Sequence, residues 1–174
     1  MSVTIQVTTD LSDLEKLVKE LQEPQDVYRV IGESLVKSAD DGFEAQADPY
    51  GSAWAKWSPH TVALYARGGL FKNMRARPER ILQNTGTLRR SVHYEAHADS
   101  VTIRAGGNAR AYAAVHQFGN QANRLPNNAK GSPAPIPPRP YFPVAPDGSV
   151  RLPDAWARQA VERLEDFFDV GGAP

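Results

Sequence analysis

The chain has 174 residues, of which 41% are hydrophobic and 23% charged, with no cysteine and a formal net charge of zero. This length suits one ordinary domain, and the lack of cysteine excludes a disulfide framework and any thiolate metal site. No basic N-terminal stretch precedes an apolar run, and no apolar run approaches ~18 residues, so we expect a soluble, cytosol-made protein without signal peptide or membrane span.

The zero net charge hides an uneven distribution. Residues 10–48 contain eleven acidic and four basic residues, whereas residues 67–110 contain nine basic and three acidic residues. Such a split suits head-to-tail packing of identical subunits, because an acidic face can meet a basic one. It also suits a basic face over nucleic acid, and it is compatible with two solvated surfaces that bind nothing.

The N-terminal part predicts a strand followed by two helices. Val3, Ile5 and Val7 alternate with polar residues, which is typical of a half-buried strand. A short helix is expected over 11–21, and Pro24 separates it from a long amphipathic helix over about 26–47, with Asp26 as N-cap. The apolar stripe of the long helix recurs every four residues: Val27, Ile31, Leu35, Ala39, Phe43 and Ala47.

A turn and a short helix follow. Asp48–Gly51 has the composition of a turn, and Ser58 and Pro59 predict the N-cap and first residue of a helix that ends near Ala66. In that helix, Val62 and Tyr65 are expected to face inward. Two tryptophans between the turn and the helix, Trp54 and Trp57, fit either core packing beside the long helix or an interface.

The central part predicts a β-hairpin. An Arg-rich loop over 70–80 leads to Ile81 and Leu82 in the core, a turn at 84–86 and one helical turn at 87–90. Alternating apolar residues then predict strands over 92–98 and 101–105, joined tightly at Asp99 and Ser100.

The C-terminal part predicts a short helix, an arm and a last helix. The first helix, 109–118, has Tyr112, Val115 and Phe118 inward and Gly119 just past its end. An exposed polar loop over 120–132 precedes residues 133–146, whose seven prolines predict a stiff, extended arm that leaves the domain. The last helix begins near 152 and carries its apolar face on Trp156, Ala160, Leu164 and Phe167.

These elements predict an α+β fold. A small antiparallel sheet that contains the central hairpin packs against the long helix and shorter helices, with extended loops and a Pro-rich arm. We expect a single domain over 1–174, with the arm at about 120–146 and the C-terminal helix at about 153–168.

No pattern of catalytic, cofactor-binding or metal-binding residues stands out, and we expect a protein without enzymatic activity or cofactor. His93 and His97 share a strand face but lie ~13 Å apart, too far for one metal ion. His116 has no nucleophile or paired carboxylate at motif spacing, so we assign it to the architecture. A hydrolase centred on His116 is the enzymatic alternative.

The basic segment supports an alternative function. Its cations are Lys72, Arg75, Arg77, Arg80, Arg89 and Arg90. A DNA-binding accessory protein that uses residues 67–110 would carry such a patch, although only Phe71 supplies an interleaved aromatic ring.

The order of the motifs resembles the phage virion morphogenesis family, the tail completion proteins of Mu-like and P2-like phages. The matching pieces are Phe43, Asp48–Gly51, Trp54, Trp57–Pro59, Thr61, Ile81–Leu88, Ser91, Tyr112–Gly119 and Ile136–Phe142. They span most of the chain from the long helix to the Pro-rich arm, and the Arg-rich segment 67–80 has no counterpart that we can assign.

The resemblance implies a structural role in virion assembly, in which the protein completes the tail and allows it to join the head at the neck. A neck protein must form a closed ring. The implied partners are further copies of the chain, the neck, connector and tail tube proteins, and DNA in the lumen, with no membrane. The implied location is the tail or neck of the virion, assembled in the host cytoplasm. The expected contact residues are Arg89, Arg90, Arg139, Tyr141 and Phe142.

Overall fold

A computed structural model describes residues 3–7, 24–66, 80–119 and 136–171. The predicted helix over 11–21, the Arg-rich loop up to residue 79 and the polar loop over 120–132 lie outside these ranges. The described elements are β1 (Val3–Val7), α1 (Pro24–Ala45), α2 (Pro59–Ala66), α3 (Thr87–Arg90), β2 (Val92–Ala96), β3 (Val101–Ala105), α4 (Arg110–Phe118) and α5 (Asp154–Gly171).

The predicted α+β fold is confirmed. The three strands form an antiparallel sheet in the order β1-β3-β2, with Ile103 of the central strand opposite both Ile5 and Tyr94. The predicted hairpin is therefore present, but its first strand ends at Ala96. The connection is a four-residue turn closed by a 2.8 Å hydrogen bond from the His97 N–H to the Ser100 carbonyl.

Helix α1 packs across β2 and β3 on one side and against α5 on another. The predicted stripe is buried from Val27 to Phe43. A close approach at Gly32 sets the distance to the sheet, since a Cβ there would lie 2.5 Å from the ring of Tyr94. The helix begins at Pro24 and not at Asp26. Proline is tolerated in the first turn, because the N–H groups there have no hydrogen-bond acceptor within the helix.

The shorter helices match their predicted ranges better than their predicted faces. Helix α2 begins at Pro59, and Ser58 Oγ accepts the Thr61 N–H at 3.1 Å, as expected of an N-cap. The prediction for Val62 is wrong, since this residue is 42% exposed. The side chain of Tyr65 lies outside the described part of the structure.

The buried face of α4 also differs from the expectation. Ala113, Ala114, Val115 and Gln117 are buried, whereas Tyr112 and Phe118 are only half-buried. A Pro-rich segment packs on the side of α4 that holds Gln117. The prediction is right for Val115, and Tyr112 and Phe118 pack against the border of the core. It missed Gln117, because hydrophobicity alone did not indicate that a glutamine would face inward.

Helix α5 begins at Asp154, two residues after the predicted start, and Pro153 lies directly before it. Trp156, Ala160 and Leu164 are buried as predicted, and Phe167 is half-buried. Among the described helices, none is long and apolar enough to cross a lipid bilayer.

Candidate assembly surfaces

The Pro-rich segment 136–146 packs onto the core, and the Gln117 side chain makes four of the hydrogen bonds that hold it there. Gln117 is 1% exposed, and its Oε1 accepts the N–H groups of Tyr141 and Phe142, each at 3.1 Å. Its Nε2 donates to the carbonyls of Phe142 at 2.8 Å and Val144 at 3.2 Å. Because a Pro-rich chain cannot pair as an inner strand, a side-chain amide supplies the hydrogen bonds that a neighbouring strand would otherwise make.

Tyr141 and Phe142 belong to the core of their own chain. Each is 1% exposed, and the Tyr141 hydroxyl donates to the Ala113 carbonyl at 3.0 Å. Burial raises the pKa of the Tyr141 phenol above its ordinary value. The ring centroid of Tyr141 lies 5.7 Å from that of Phe43 and 4.8 Å from that of Phe142. The prediction of an arm that leaves the domain is thus wrong for residues 136–146, and these two rings offer no surface to a neighbour in this conformation.

Arg139 is likewise buried, at 7% exposure. Its Nε donates to the Ala55 carbonyl at 2.7 Å and its Nη2 to the Lys56 carbonyl at 3.2 Å. Burial lowers the pKa of this guanidinium from its ordinary value. No carboxylate of the described residues lies within ion-pair distance of Arg139. The guanidinium therefore joins the Pro-rich segment to the backbone that follows Trp54 and does not project from an extended arm.

Trp54 decides between the two readings of the tryptophans. Its ring is buried against Phe43 in an edge-to-face contact with centroids 5.4 Å apart. The indole Nε1 donates to the Pro140 carbonyl at 2.7 Å. Trp54 therefore belongs to the core, and Trp57 packs half-buried at its border.

A groove of about 950 Å³ lies beside Trp57 and Arg139. Its walls combine apolar, hydroxyl and amide side chains with two cations. The described lining residues are Lys56, Trp57, Ser58, Thr61, Leu82, Asn84, Thr85, Thr87, Leu88, Asn108, Tyr112, His116, Ile136, Pro137 and Arg139. We refer to this surface as the groove; among the residues just named there is no aspartate or glutamate.

His116 lies in the groove wall and is neutral at physiological pH. Burial, with a further contribution from the charge of Arg139, lowers the pKa of its imidazole to about 4. Its ring makes an edge contact with Tyr112, with centroids 5.7 Å apart. Within the described part of the chain, the buried atoms His116 Nδ1 and Asn84 Nδ2 have no hydrogen-bond partner.

The basic face is partly neutralised within the chain. Arg89 on α3 pairs with Asp40 of α1 through Nε and Oδ1 and through Nη2 and Oδ2, the latter at 2.7 Å, and with Glu44. The hydrogen bond from Arg89 lowers the pKa of Asp40 below its ordinary value. Arg80 lies 3.9 Å from Glu44. Some of the acidic residues of 10–48 and basic residues of 67–110 therefore pair with each other inside the chain, between α1 and residues 80–89.

The remaining predicted residues take different positions. Arg90 is exposed, and its Nη2 donates to the Thr85 carbonyl at 2.8 Å. Lys72, Arg75 and Arg77 lie outside the described residues. His93 is exposed on β2 and His97 lies in the hairpin turn. The described ranges contain no cluster of three His, Asp or Glu side chains suited to a metal ion.

Glutamines whose side chains bind the backbone of distant segments escaped prediction from the sequence. Besides Gln117, Gln83 donates through Nε2 to the Phe43 carbonyl, and Gln46 Oε1 accepts the Ile81 N–H at 2.9 Å. The only signal for Gln117 was its place between His116 and Phe118 on a short, largely apolar helix.

The family model of the phage virion morphogenesis family matches residues 6–160. This chain belongs to the phage virion morphogenesis family. A further comparison relates it to the "Putative capsid assembly protein G" of Escherichia phage Mu, with 30% identity over 159 residues, covering 89% of this chain and 93% of the relative. No solved structure matches. The resemblance inferred from the motifs is confirmed. As a member of this virion morphogenesis family, the chain has a role in phage assembly.

Proposed function

We propose that this member of the virion morphogenesis family is a non-enzymatic structural protein that completes the phage tail and joins it to the head. It acts as a ring of identical copies at the neck, in contact with connector and tail tube proteins and around the path of the DNA. The observation that carries the proposal is the family match over residues 6–160, which extends from the first strand into the last helix.

The distribution of charge supports a ring. A closed ring of identical subunits needs two different complementary surfaces on each copy. The groove contains Lys56 and Arg139, while the outer face of α5 is rich in carboxylates. A chain with zero net charge and two oppositely charged surfaces is suited to such head-to-tail contacts.

The DNA-binding alternative has weaker support. Arg80 and Arg89, two of its six cations, are engaged by carboxylates of α1. Phosphate contacts through the basic segment would make binding fall steeply with salt concentration. Failure of the purified protein to retain double-stranded DNA at low salt would eliminate this alternative.

The proposal is tested by inactivating the gene in its phage and imaging the lysate by negative-stain electron microscopy. We expect DNA-filled heads and separate tails that do not join, and recovery of joined particles when the protein is supplied in trans. Mass spectrometry of purified virions should detect the protein, with its position at the neck seen by cryo-electron microscopy. Joined, infectious particles without the protein would refute the proposal.

A further inference from the structure

The groove lacks a carboxylate among its described lining residues and holds two neighbouring cationic residues. Arg139 donates to the backbone carbonyl of Lys56, so the two residues are adjacent, and the Lys56 side chain is exposed. A buried guanidinium without an anion is costly, and a nearby negative charge would offset part of that cost. The groove therefore favours an anionic occupant.

The groove wall also offers hydrogen-bonding groups. Ser58, Thr85 and Asn108 are exposed lining residues, and their hydroxyl and amide groups can hydrogen-bond to an occupant. Apolar walls from Trp57, Leu82 and Ile136 lie beside them. An occupant that carries carboxylates next to an apolar side chain would satisfy all three features.

The outer face of α5 has this chemistry. Glu162, Glu165 and Asp169 are exposed, and their spacing of three and four residues puts them on one face of the helix. Val161, at 48% exposure, lies beside them, and Arg158 is the basic residue on the same face. We call Val161, Glu162, Glu165 and Asp169 the acidic ridge. None of the three carboxylates is ion-paired to a described residue.

We propose that the groove of one copy receives the acidic ridge of a second copy, with Lys56 close to Glu165. No residue of α5 is among the described lining of the groove, so each copy carries both surfaces separately. A contact between two different surfaces is heterologous and closes into a ring when the rotation permits. A helix whose outer side chains enter a groove is a common recognition mode. This inference rests on the proposed ring and identifies the surfaces that form it.

The test is a charge exchange in the full-length chain, read by sedimentation velocity over a concentration series. We expect the unmodified protein to associate, and Lys56→Glu and Glu165→Lys each to weaken association about tenfold or more, because an opposite-charge pair becomes a like-charge pair. The double variant should restore association. An equimolar mixture of the two single variants should do so too, because each altered surface then meets its complement in an alternating assembly.

Two matched controls change the same charge elsewhere. Arg110→Glu on α4 and Asp99→Lys in the hairpin turn are exposed and lie outside both surfaces, so neither should change the association constant by more than about twofold. Circular dichroism checks that each variant is folded. Association of the unmodified protein should also weaken between about 50 mM and about 500 mM NaCl, because salt screens the pairs.

The outcomes separate this inference from the proposed ring. If the unmodified protein associates and the variants at Lys56 and Glu165 associate equally well, the ring uses other surfaces and the inference is wrong. The same conclusion follows if both single variants dissociate and the double variant does not recover, since the two residues then do not face each other. A protein that remains monomeric at all concentrations and salt levels contradicts both the inference and the ring.

Discussion

Replacing Gln117 by leucine should strongly destabilise the protein, although the two side chains are similar in volume. The side chain is 1% exposed and makes four hydrogen bonds to the backbone of residues 141–144. Leucine has a similar volume and fills the site, so little of the loss comes from a cavity. The loss comes from two N–H groups and two carbonyls that are left without their partner, away from water.

The expected magnitude follows from the cost of a buried unsatisfied polar group, about 1–3 kcal/mol each. Counting only the N–H groups of Tyr141 and Phe142 gives a loss of about 2–6 kcal/mol in the free energy of unfolding. This is a large part of the ~5–15 kcal/mol that stabilises an ordinary domain. Gln117→Glu should also destabilise, because it removes both donors and brings a carboxyl group into the buried site.

The measurement is urea unfolding followed by circular dichroism and tryptophan fluorescence, with an unchanged m-value required for comparison. The control is Gln25→Leu, since Gln25 is exposed and makes a single 3.3 Å hydrogen bond to the Ala96 carbonyl; we expect a loss below about 0.5 kcal/mol there. If Gln117→Leu proves too unstable to purify, slow amide exchange at Tyr141 and Phe142 in the unmodified protein gives a second readout. A loss below about 1 kcal/mol, or fast exchange at both amides, would refute the role assigned to Gln117.

Three further predictions concern other contacts. The imidazole of His116 has a pKa of about 4 in the folded chain, so the unfolded chain binds more protons between about pH 6.5 and 4. The free energy of unfolding should therefore fall by up to about 3 kcal/mol as the pH drops through this window. His116→Gln should reduce this dependence of stability on pH, and an unchanged dependence in urea titrations would contradict the prediction. Arg89→Met should lower the free energy of unfolding by about 1–2 kcal/mol, since Asp40 loses its bidentate partner. The difference in stability from the unmodified protein should shrink in high salt, and equal thermal stability of the two proteins at low salt would disprove the prediction. Gly119→Ala should cost about 2 kcal/mol or more, because φ is +75° and the new Cβ would lie 2.9 Å from the Ile136 carbonyl oxygen. Gly51→Ala is the control, because its φ is also positive but its new Cβ would meet no atom within 4 Å, so it should cost less; a neutral effect of Gly119→Ala on the melting temperature would contradict the strain.

The basic face shows how a sequence-level charge count can mislead. The acidic excess of residues 10–48 and the basic excess of residues 67–110 suggested surfaces for other molecules. The structure pairs Arg89 with Asp40 and Glu44, which are more than forty positions earlier in the chain. Their proximity depends on how α3 packs beside α1, and composition carries no information on that packing.

By itself, the sequence determined the local elements and the family. Hydrophobic periodicity, a Ser–Pro helix start and the alternation in the hairpin are short-range signals, so α1, α2, β2 and β3 were predictable to within a few residues. Only the tertiary structure decided which side chains are free to meet a partner. Seven prolines indicated an extended chain from 133 to 146. Whether residues 136–146 leave the domain depends on hydrogen bonds to a side chain that is distant in the sequence, and Gln117 provides that side chain. For that reason Tyr141 and Phe142 moved from the expected interface into the core, whereas Arg139 lines the groove that we propose as a contact surface.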